Sequence, residues 1–218
     1  MSRPSRNVDQ QLLRAGQELL PATGIRALSI RQVTERAGVN LGMFHYHFKS
    51  KDIFVRAVLE QKYNDMFASL ELESHRSPMA VENLRAAVNV LARFGRDNRG
   101  LLVKLINDAF SGETVAKEFM QANMPRHIRV VSALLVQSQN EGSLSKKAVS
   151  QALAFLMGGV GAPILLGWAA IANGFVPTLF AHELEQSVFT DAAIAERVDM
   201  ALIGLAASRK MTKSGVRK

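Results

Sequence analysis

The stretch ALSIRQVTERAGVNLGMFHYHFKSKDIF, residues 27–54, decides the fold because its capping residues predict short helices joined by tight links. Ser29 is placed to cap a helix over IRQVTERA, and Gly38 follows where helices commonly end in a left-handed residue. Asn40 is the next candidate cap, before LGMFHYHF, and Ser50 precedes a third, longer helix. Two short helices around a glycine-containing turn are typical of a helix-turn-helix, whose second helix enters the major groove of DNA.

The second short helix is expected to have one buried face and one outward face. Phe44 and Phe48 are four residues apart, so they share a side, and that side must pack against the neighbouring helices. The side chains that then point away from the core, wholly or in part, are Leu41, His45, Tyr46 and His47. The alternative interpretation, that residues 29–48 are only a helical hairpin with aromatic residues for packing, stays open.

The two histidines of this helix do not predict a metal site. His45 and His47 are two residues apart and cannot project in one direction from a helix. No Asp, Glu or Cys lies between residues 37 and 51 to complete a set of ligands. We therefore predict neither a metal nor a catalytic residue here.

The excess positive charge lies at the two ends of the chain, whose net charge is +8. Residues 1–60 hold nine Lys or Arg and five Asp or Glu, while residues 61–207 hold thirteen and fourteen. Residues 208–218 hold five basic residues and no acidic ones. A basic N-terminal region is what contact with phosphates requires. We expect residues 210–218 to form a disordered, solubilising tail.

Residues 27–54 resemble the DNA-binding head of the TetR family of transcriptional regulators. The motif is a capped helix with Ile-x-x-Val, then Ala-Gly-Val, a short helix with Gly42, and His-Phe-x-x-Lys leading into the next helix. The resemblance covers about the first 60 residues, and an all-helical body follows. The DNA contacts that we predict from it are Ser29, Arg31, Gln32, Asn40, Leu41, Gly42, Met43, His45, Tyr46, His47, Lys49 and Lys51.

These contacts are expected to divide between the DNA backbone and the bases. Lys51 begins the helix after the motif and is expected to contact a phosphate. Leu41 and Met43 are apolar, so they favour contact with thymine methyl groups. The polar candidates for base recognition are Arg31, Gln32 and Asn40. One position departs from the family pattern: His45 stands where Tyr is usual, and the tyrosine follows at Tyr46.

Helical spacing and chain breakers predict an all-α fold with a larger body behind the head. The expected domains are a helix-turn-helix head at 1–55 and a regulatory and dimerisation body at 56–209. A first helix is expected to end at Pro21 and Gly24, and Pro125 should kink or split the helix that contains it. The longer helices are predicted at 51–73, 78–97, 100–110, 113–139, 146–173 and 189–209.

One apolar stretch raises the question of a membrane. Residues 148–182 contain no Asp, Glu, Lys or Arg, and the segment is long enough for a transmembrane helix. Its glycines and central proline argue against a span, and a fully buried helix would explain the same composition. The resemblance implies instead that the helices near 148–173 and 189–209 form a four-helix homodimer interface.

The remaining helices are expected to surround a ligand cavity. Methionine and aromatic side chains adapt to apolar ligands, although such residues at helical spacing are more often simply core. His127 is the best candidate for a polar anchor. The candidate ligand-binding residues are Phe94, Leu105, Phe110, Met120, Met124, His127 and Trp168.

The function predicted from these features is a cytoplasmic, ligand-responsive transcriptional regulator, in the first place a repressor. It would bind double-stranded operator DNA as a homodimer and be released by a small molecule, with no cofactor. The chain has no cysteine and no hydrolase, phosphate-loop, dinucleotide or zinc-protease motif, so we do not expect an enzyme. The alternatives left open are a helical interaction protein, a membrane-associated regulator without small-molecule induction, and an activator.

Overall fold

The computed structural model describes residues 5–207 as a bundle of helices. The predicted tail at 210–218 lies outside the described residues. The head contains α1 (Ser5–Ala27), α2 (Ile30–Ala37) and α3 (Leu41–Phe48). The body contains α4 (Lys51–Glu73), α5 (Ala80–Asp97), α6 (Arg99–Phe110), α7 (Thr114–Asn140), α8 (Val149–Leu156), α9 (Ala162–Ala172), α10 (Thr178–Val188) and α11 (Asp191–Leu205), with a π-helical segment, Met157–Gly161, joining α8 to α9.

The all-α prediction is confirmed, and several boundaries differ from those expected. The first helix runs through Pro21 and is broken by a kink at Gly24 (φ 69°), so the expected end is confirmed at Gly24 and not at Pro21. Pro125 lies inside α7 and does not split it. The last helix ends at Leu205, because Ala206 leaves helical geometry and forms an isolated antiparallel bridge with Leu144.

Two elements of the body were not expected. The predicted helix at 146–173 is interrupted by the Met157–Gly161 segment, whose glycines tolerate a widened turn. Helix α10 was not predicted, and it contains no buried residue. A helix without a buried stripe leaves no apolar periodicity by which to recognise it.

The head and the body meet in a shared core. Helix α4 begins beside the head and continues into the body, so the predicted boundary at residue 55 falls inside it. The buried side chains of α1–α4 pack together with Leu101 and Leu105 of α6 and with Val115 and Ala116 of α7. A second core joins the rest of α4 to α5, α7, α8, α9 and α11. Helix α6 therefore packs directly against the head.

The apolar stretch Val149–Ala172 is long and apolar enough to cross a membrane, with a mean hydropathy of 1.8, yet only 17% of it is buried. The expectation of a fully buried helix is therefore wrong for the single chain. Four side chains spaced four residues apart form its one buried stripe: Ala152, Leu156, Val160 and Ile164. The other side of the stretch exposes Phe155, Met157 and Leu166.

Candidate nucleic-acid interface and ligand cavity

The helix-turn-helix is built by local hydrogen bonds at its caps. The Ser29 backbone N–H donates to Oε1 of Gln32 at 2.9 Å, and the Gln32 backbone N–H donates to Oγ of Ser29 at 3.2 Å, which is a capping box. Gly38 ends α2 in the left-handed conformation (φ 67°), and Val39 N–H donates to the carbonyl of Thr34. The turn therefore holds α2 and α3 at a defined angle.

The starts of α3 and α4 are held in the same way. Oδ1 of Asn40 accepts from the Met43 N–H at 3.0 Å, and Oγ of Ser50 accepts from the Ile53 N–H at 3.2 Å. Lys49, between α3 and α4, has φ 58° and is the only described residue other than glycine with positive φ. The side-chain oxygens of Ser29, Gln32 and Asn40 thus serve the helix ends.

A cluster of three phenylalanines fixes the orientation of α3. Phe44 lies 5.2 Å from Phe54 and 5.9 Å from Phe48 between ring centroids, and Phe48 lies 5.1 Å from Phe54. All three rings are buried. Because this cluster buries one side of α3, the opposite side of the helix faces outward and can contact a partner.

Tyr46 lies opposite the cluster and is exposed to 72%, and Leu41 is exposed at the start of the helix. No acidic residue lies between positions 37 and 51. On α2, the exposed guanidinium of Arg31 pairs with Glu35 at 2.7 Å. DNA contact by Arg31 would compete with this exposed ion pair, which is weak in water.

The two histidines of α3 differ in their surroundings. His45 is exposed, and its Nδ1 lies 3.3 Å from the Lys49 carbonyl. His47, which was expected to point outward only in part, is half-buried, and its Nε2 is buried without a hydrogen-bond partner among the described residues. Position 47 follows Phe44 by three residues, so it lies about 60° from the buried stripe rather than opposite it.

Lys51 also has an internal role. Its Nζ donates to the carbonyl of Arg26, near the end of α1, at 3.3 Å. The side chain therefore joins the start of α4 to the end of α1, at the edge of the outward face of α3.

The body encloses an apolar cavity of about 360 Å³. Five of the seven predicted ligand-binding residues line it: Phe94, Leu105, Met120, Met124 and His127. The π-helical segment contributes Met157, Val160 and Gly161. The other lining residues are Tyr63, Met66, Val88, Leu91, Ala92, Gly95, Leu102, Ile106, Phe119, Asn123, Ile128, Val131, Leu153, Ala154, Leu156, Ile164 and Leu165.

The expectation that Phe110 and Trp168 line the cavity is wrong. Phe110 is the last residue of α6 and is 88% exposed. Trp168 packs instead at the junction of three helices: a Cβ added to Gly100 of α6 would lie 3.5 Å from the Trp168 ring and 3.4 Å from Cβ of Pro21 in α1. Helical spacing did not reveal on which side of its helix each ring lies.

The polar corner of the cavity consists of Tyr63, Asn123 and His127. The Tyr63 hydroxyl donates to the Asn123 carbonyl at 2.7 Å and lies 3.2 Å from Nδ1 of His127. Burial lowers the pKa of His127 and raises the pKa of Tyr63, which favours the neutral form of both. Tyr63 and Asn123 were not predicted, because no sequence pattern links α4 to α7.

A buried carboxylate connects the body to the head. Oδ2 of Asp108, on α6, accepts from the backbone N–H of Ile25 at 2.7 Å. A Cβ at Gly24 would lie 2.9 Å from the same oxygen, so glycine suits both the positive φ and this close approach. Arg26 adds a second link by donating to the Ser111 carbonyl at the end of α6.

Asp108→Ala is expected to destabilise the protein by about 1–3 kcal/mol, since it leaves the buried Ile25 N–H without an acceptor. Asp108→Asn keeps an acceptor oxygen and should retain most of the stability. Urea unfolding measures the difference, and amide hydrogen exchange at Ile25 reports the local opening. Equal stability of the alanine and asparagine variants would show that this hydrogen bond does not hold the junction.

Comparisons with known proteins agree with this architecture. The family model described as bacterial regulatory proteins, tetR family, matches residues 12–58. No curated protein sequence matches the chain. A bacterial regulatory protein in the tetR family from Rhodococcus RHA1 is 16% identical with a TM-score of 0.67, and the match covers 96% of this chain and 100% of that chain.

Two further solved structures hold small molecules. FadR from Bacillus subtilis, in complex with stearoyl-CoA, is 13% identical with a TM-score of 0.68 over 90% of this chain and 98% of that chain. A Saccharomonospora viridis protein in complex with choline is 14% identical with a TM-score of 0.72 over 93% of this chain and 99% of that chain. At these identities the likeness shows the fold. Residues 12–58 thus match the tetR family model, and the solved structures show the same fold, a helix-turn-helix head followed by a helical body.

Proposed function

We propose that the protein is a cytoplasmic homodimeric repressor, which binds operator DNA through α3 and releases it when a small molecule fills the cavity of the body. The observation that carries the proposal is the combination of an outward-facing recognition helix, Leu41–Phe48, with an apolar cavity in the same chain. The ligands held by two structural neighbours support a ligand-binding body. We propose no catalytic activity.

The DNA half of the proposal rests on the outward face of α3. Leu41 and Tyr46 would meet the major groove, while Lys49 and Lys51 at the exit would contact phosphates. The side chains of Ser29, Gln32 and Asn40, which cap the helices, act mainly by positioning α3. The amide nitrogen of Gln32 remains as a hydrogen-bond donor toward DNA. The remaining proposed contacts are Ser29, Arg31, Asn40, Gly42, Met43, His45 and His47.

Lys49→Ala is expected to weaken binding to the DNA that flanks the protein's own gene by about tenfold. One lost phosphate contact should also reduce the slope of log affinity against log salt by about 0.9 per head. Fluorescence anisotropy over a salt series measures both quantities. Alanine has the same Cβ as lysine, so the positive φ at position 49 is not relieved.

Lys104→Ala is the matched control, because Lys104 is an exposed lysine on α6 in the body. It should leave the affinity and the slope nearly unchanged. If Lys49→Ala and Lys104→Ala have equal effects, the proposed DNA face is wrong.

The dimer half rests on the exposed apolar side of two adjacent helices. Helix α11 packs against α8 and the π-helical segment, so their exposed faces are neighbours. The large apolar side chains exposed on these elements are Phe155, Met157, Met200 and Ile203, and Leu166 is exposed on α9, which continues from the π-helical segment. A second copy would bury them and bring two heads to two half-sites. A second copy of the chain accounts for the exposed apolar side chains of α11 as well as for those of the apolar stretch. A membrane span over the apolar stretch would not account for those of α11.

The coupling between cavity and head is proposed to run through α6. Leu102, Leu105 and Ile106 of this helix line the cavity, while Asp108 of the same helix holds the Ile25 backbone. A ligand that binds better to one position of α6 than to another would shift the head between two arrangements. DNA binding by the unliganded protein that is lost on ligand addition tests this coupling, and transcription from the bound DNA with and without the protein distinguishes a repressor from an activator.

A further inference from the structure

The protons in the polar corner of the cavity can be assigned by counting. The Tyr63 hydroxyl carries one proton and has two close partners, the Asn123 carbonyl and Nδ1 of His127. A carbonyl oxygen can only accept, so the tyrosine proton lies toward Asn123. The contact with His127 is then a hydrogen bond only if Nδ1 carries a proton and donates it to the tyrosine oxygen.

This assignment makes the other ring nitrogen an acceptor. A neutral histidine with its proton on Nδ1 has a lone pair on Nε2. Burial favours the neutral ring by lowering the pKa of His127. Nε2 has no hydrogen-bond partner among the described residues and, unlike Nε2 of His47, it is not fully buried. An acceptor is therefore available at the cavity wall.

The rest of the wall provides no charge. None of the lining side chains is Lys, Arg, Asp or Glu. Arg126, which precedes His127 in the chain, lies over the rings of Phe67 and Tyr63, at 4.1 and 5.0 Å from their centroids, and is not among the residues that line the cavity. Its Nη1 donates to Oδ1 of Asn123 at 3.2 Å. A carboxylate inside the cavity would meet the lone pair of His127 and lose its water without gaining a counter-ion.

Resting on the proposed regulator function, we propose that the effector is an uncharged, apolar molecule with a hydroxyl or similar donor group, which donates a hydrogen bond to Nε2 of His127. The apolar part fills the space between α5, α6 and α7. The donor group selects among molecules of similar size, because only a donor satisfies the acceptor at the wall.

Three matched probes test the assignment by isothermal titration calorimetry at about pH 8, where a carboxylic acid is ionised and His127 is neutral. Decanol has a donor, decyl methyl ether has only an acceptor, and decanoate is an anion. Decanol is expected to bind about tenfold tighter than the ether, the value of one ordinary hydrogen bond, and tighter still than decanoate.

Variants at the corner show whether the preference comes from His127. His127→Phe should reduce the preference for decanol over the ether to less than about twofold, whereas His127→Gln keeps an acceptor oxygen and should restore part of it. Tyr63→Phe removes the oxygen that holds the proton on Nδ1, and it should lower the preference without a change of ring volume. Thermal melts by circular dichroism identify any variant that fails to fold, and the Tyr63 variant then decides.

The outcomes separate this inference from the proposed function. Tighter binding of decanoate than of decanol, or a preference that survives both His127→Phe and Tyr63→Phe, would overturn the ligand class while leaving a ligand-binding body. Absence of heat with all three probes would overturn the inference as well. DNA affinity of the unliganded protein, measured separately, decides whether the regulator proposal stands.

Discussion

Phe44→Ala is expected to destabilise the head by about 3–5 kcal/mol, which is a large share of the stability of a small domain. The Phe44 ring is fully buried and contacts Phe48 and Phe54, so its removal leaves a cavity at the point where α3 meets α4. Loss of α3 would abolish DNA binding even though no DNA contact is removed. Urea unfolding followed by circular dichroism, together with DNA anisotropy, measures both effects.

Tyr46→Ala is the control for this prediction. Tyr46 is on the same helix but is exposed, so its removal should change stability by no more than about 0.5 kcal/mol. It should still weaken DNA binding, because the ring lies on the proposed recognition face. If the two variants unfold at the same urea concentration, α3 is not held by the phenylalanine cluster.

The double substitution Leu166→Glu and Ile203→Glu is expected to convert the proposed dimer into a monomer. Both side chains are largely exposed in the single chain, Leu166 to 69% and Ile203 to 75%, so glutamate should be tolerated by the folded monomer. In the dimer each glutamate would be a buried charge without a partner. DNA affinity should fall by about a hundredfold, because two heads then no longer bind as one unit.

Analytical ultracentrifugation gives the oligomeric state of this variant, and circular dichroism checks that the monomer is folded. Leu72→Glu is the matched control, since Leu72 is an exposed leucine on α4. It should leave both the dimer and the DNA affinity intact. A dimer that survives the double substitution would place the interface elsewhere.

The parts of this fold that could be predicted from sequence are those set by near neighbours in the chain. Ser29, Asn40 and Ser50 cap their helices through hydrogen bonds to residues three positions away, so local sequence contains the whole interaction. The spacing of Phe44 and Phe48 correctly predicted the buried side of α3 for the same reason. Four cavity residues followed from their apolar character and helical context, and His127 was predicted as a polar side chain among them.

The parts that could not be predicted depend on contacts between distant segments. Asp108 and Ile25 are 83 residues apart, and nothing in either segment indicates that they meet. The pairing of Tyr63 with His127, 64 residues apart, is of the same kind. Phe110 shows a related limit: one residue at the edge of a helix face can lie on either side, and tertiary packing decides which.

The position of Trp168 gives the protein its own optical probe. It is the single tryptophan of the chain, and its ring lies against α6 near the Pro21 turn of α1, while Ile164 and Leu165 on the same helix line the cavity. Indole emission depends on the polarity and packing around the ring. The wavelength and lifetime of this emission therefore report on the junction between body and head without any attached dye, so the proposed coupling of cavity and head can be followed in real time in the unmodified protein.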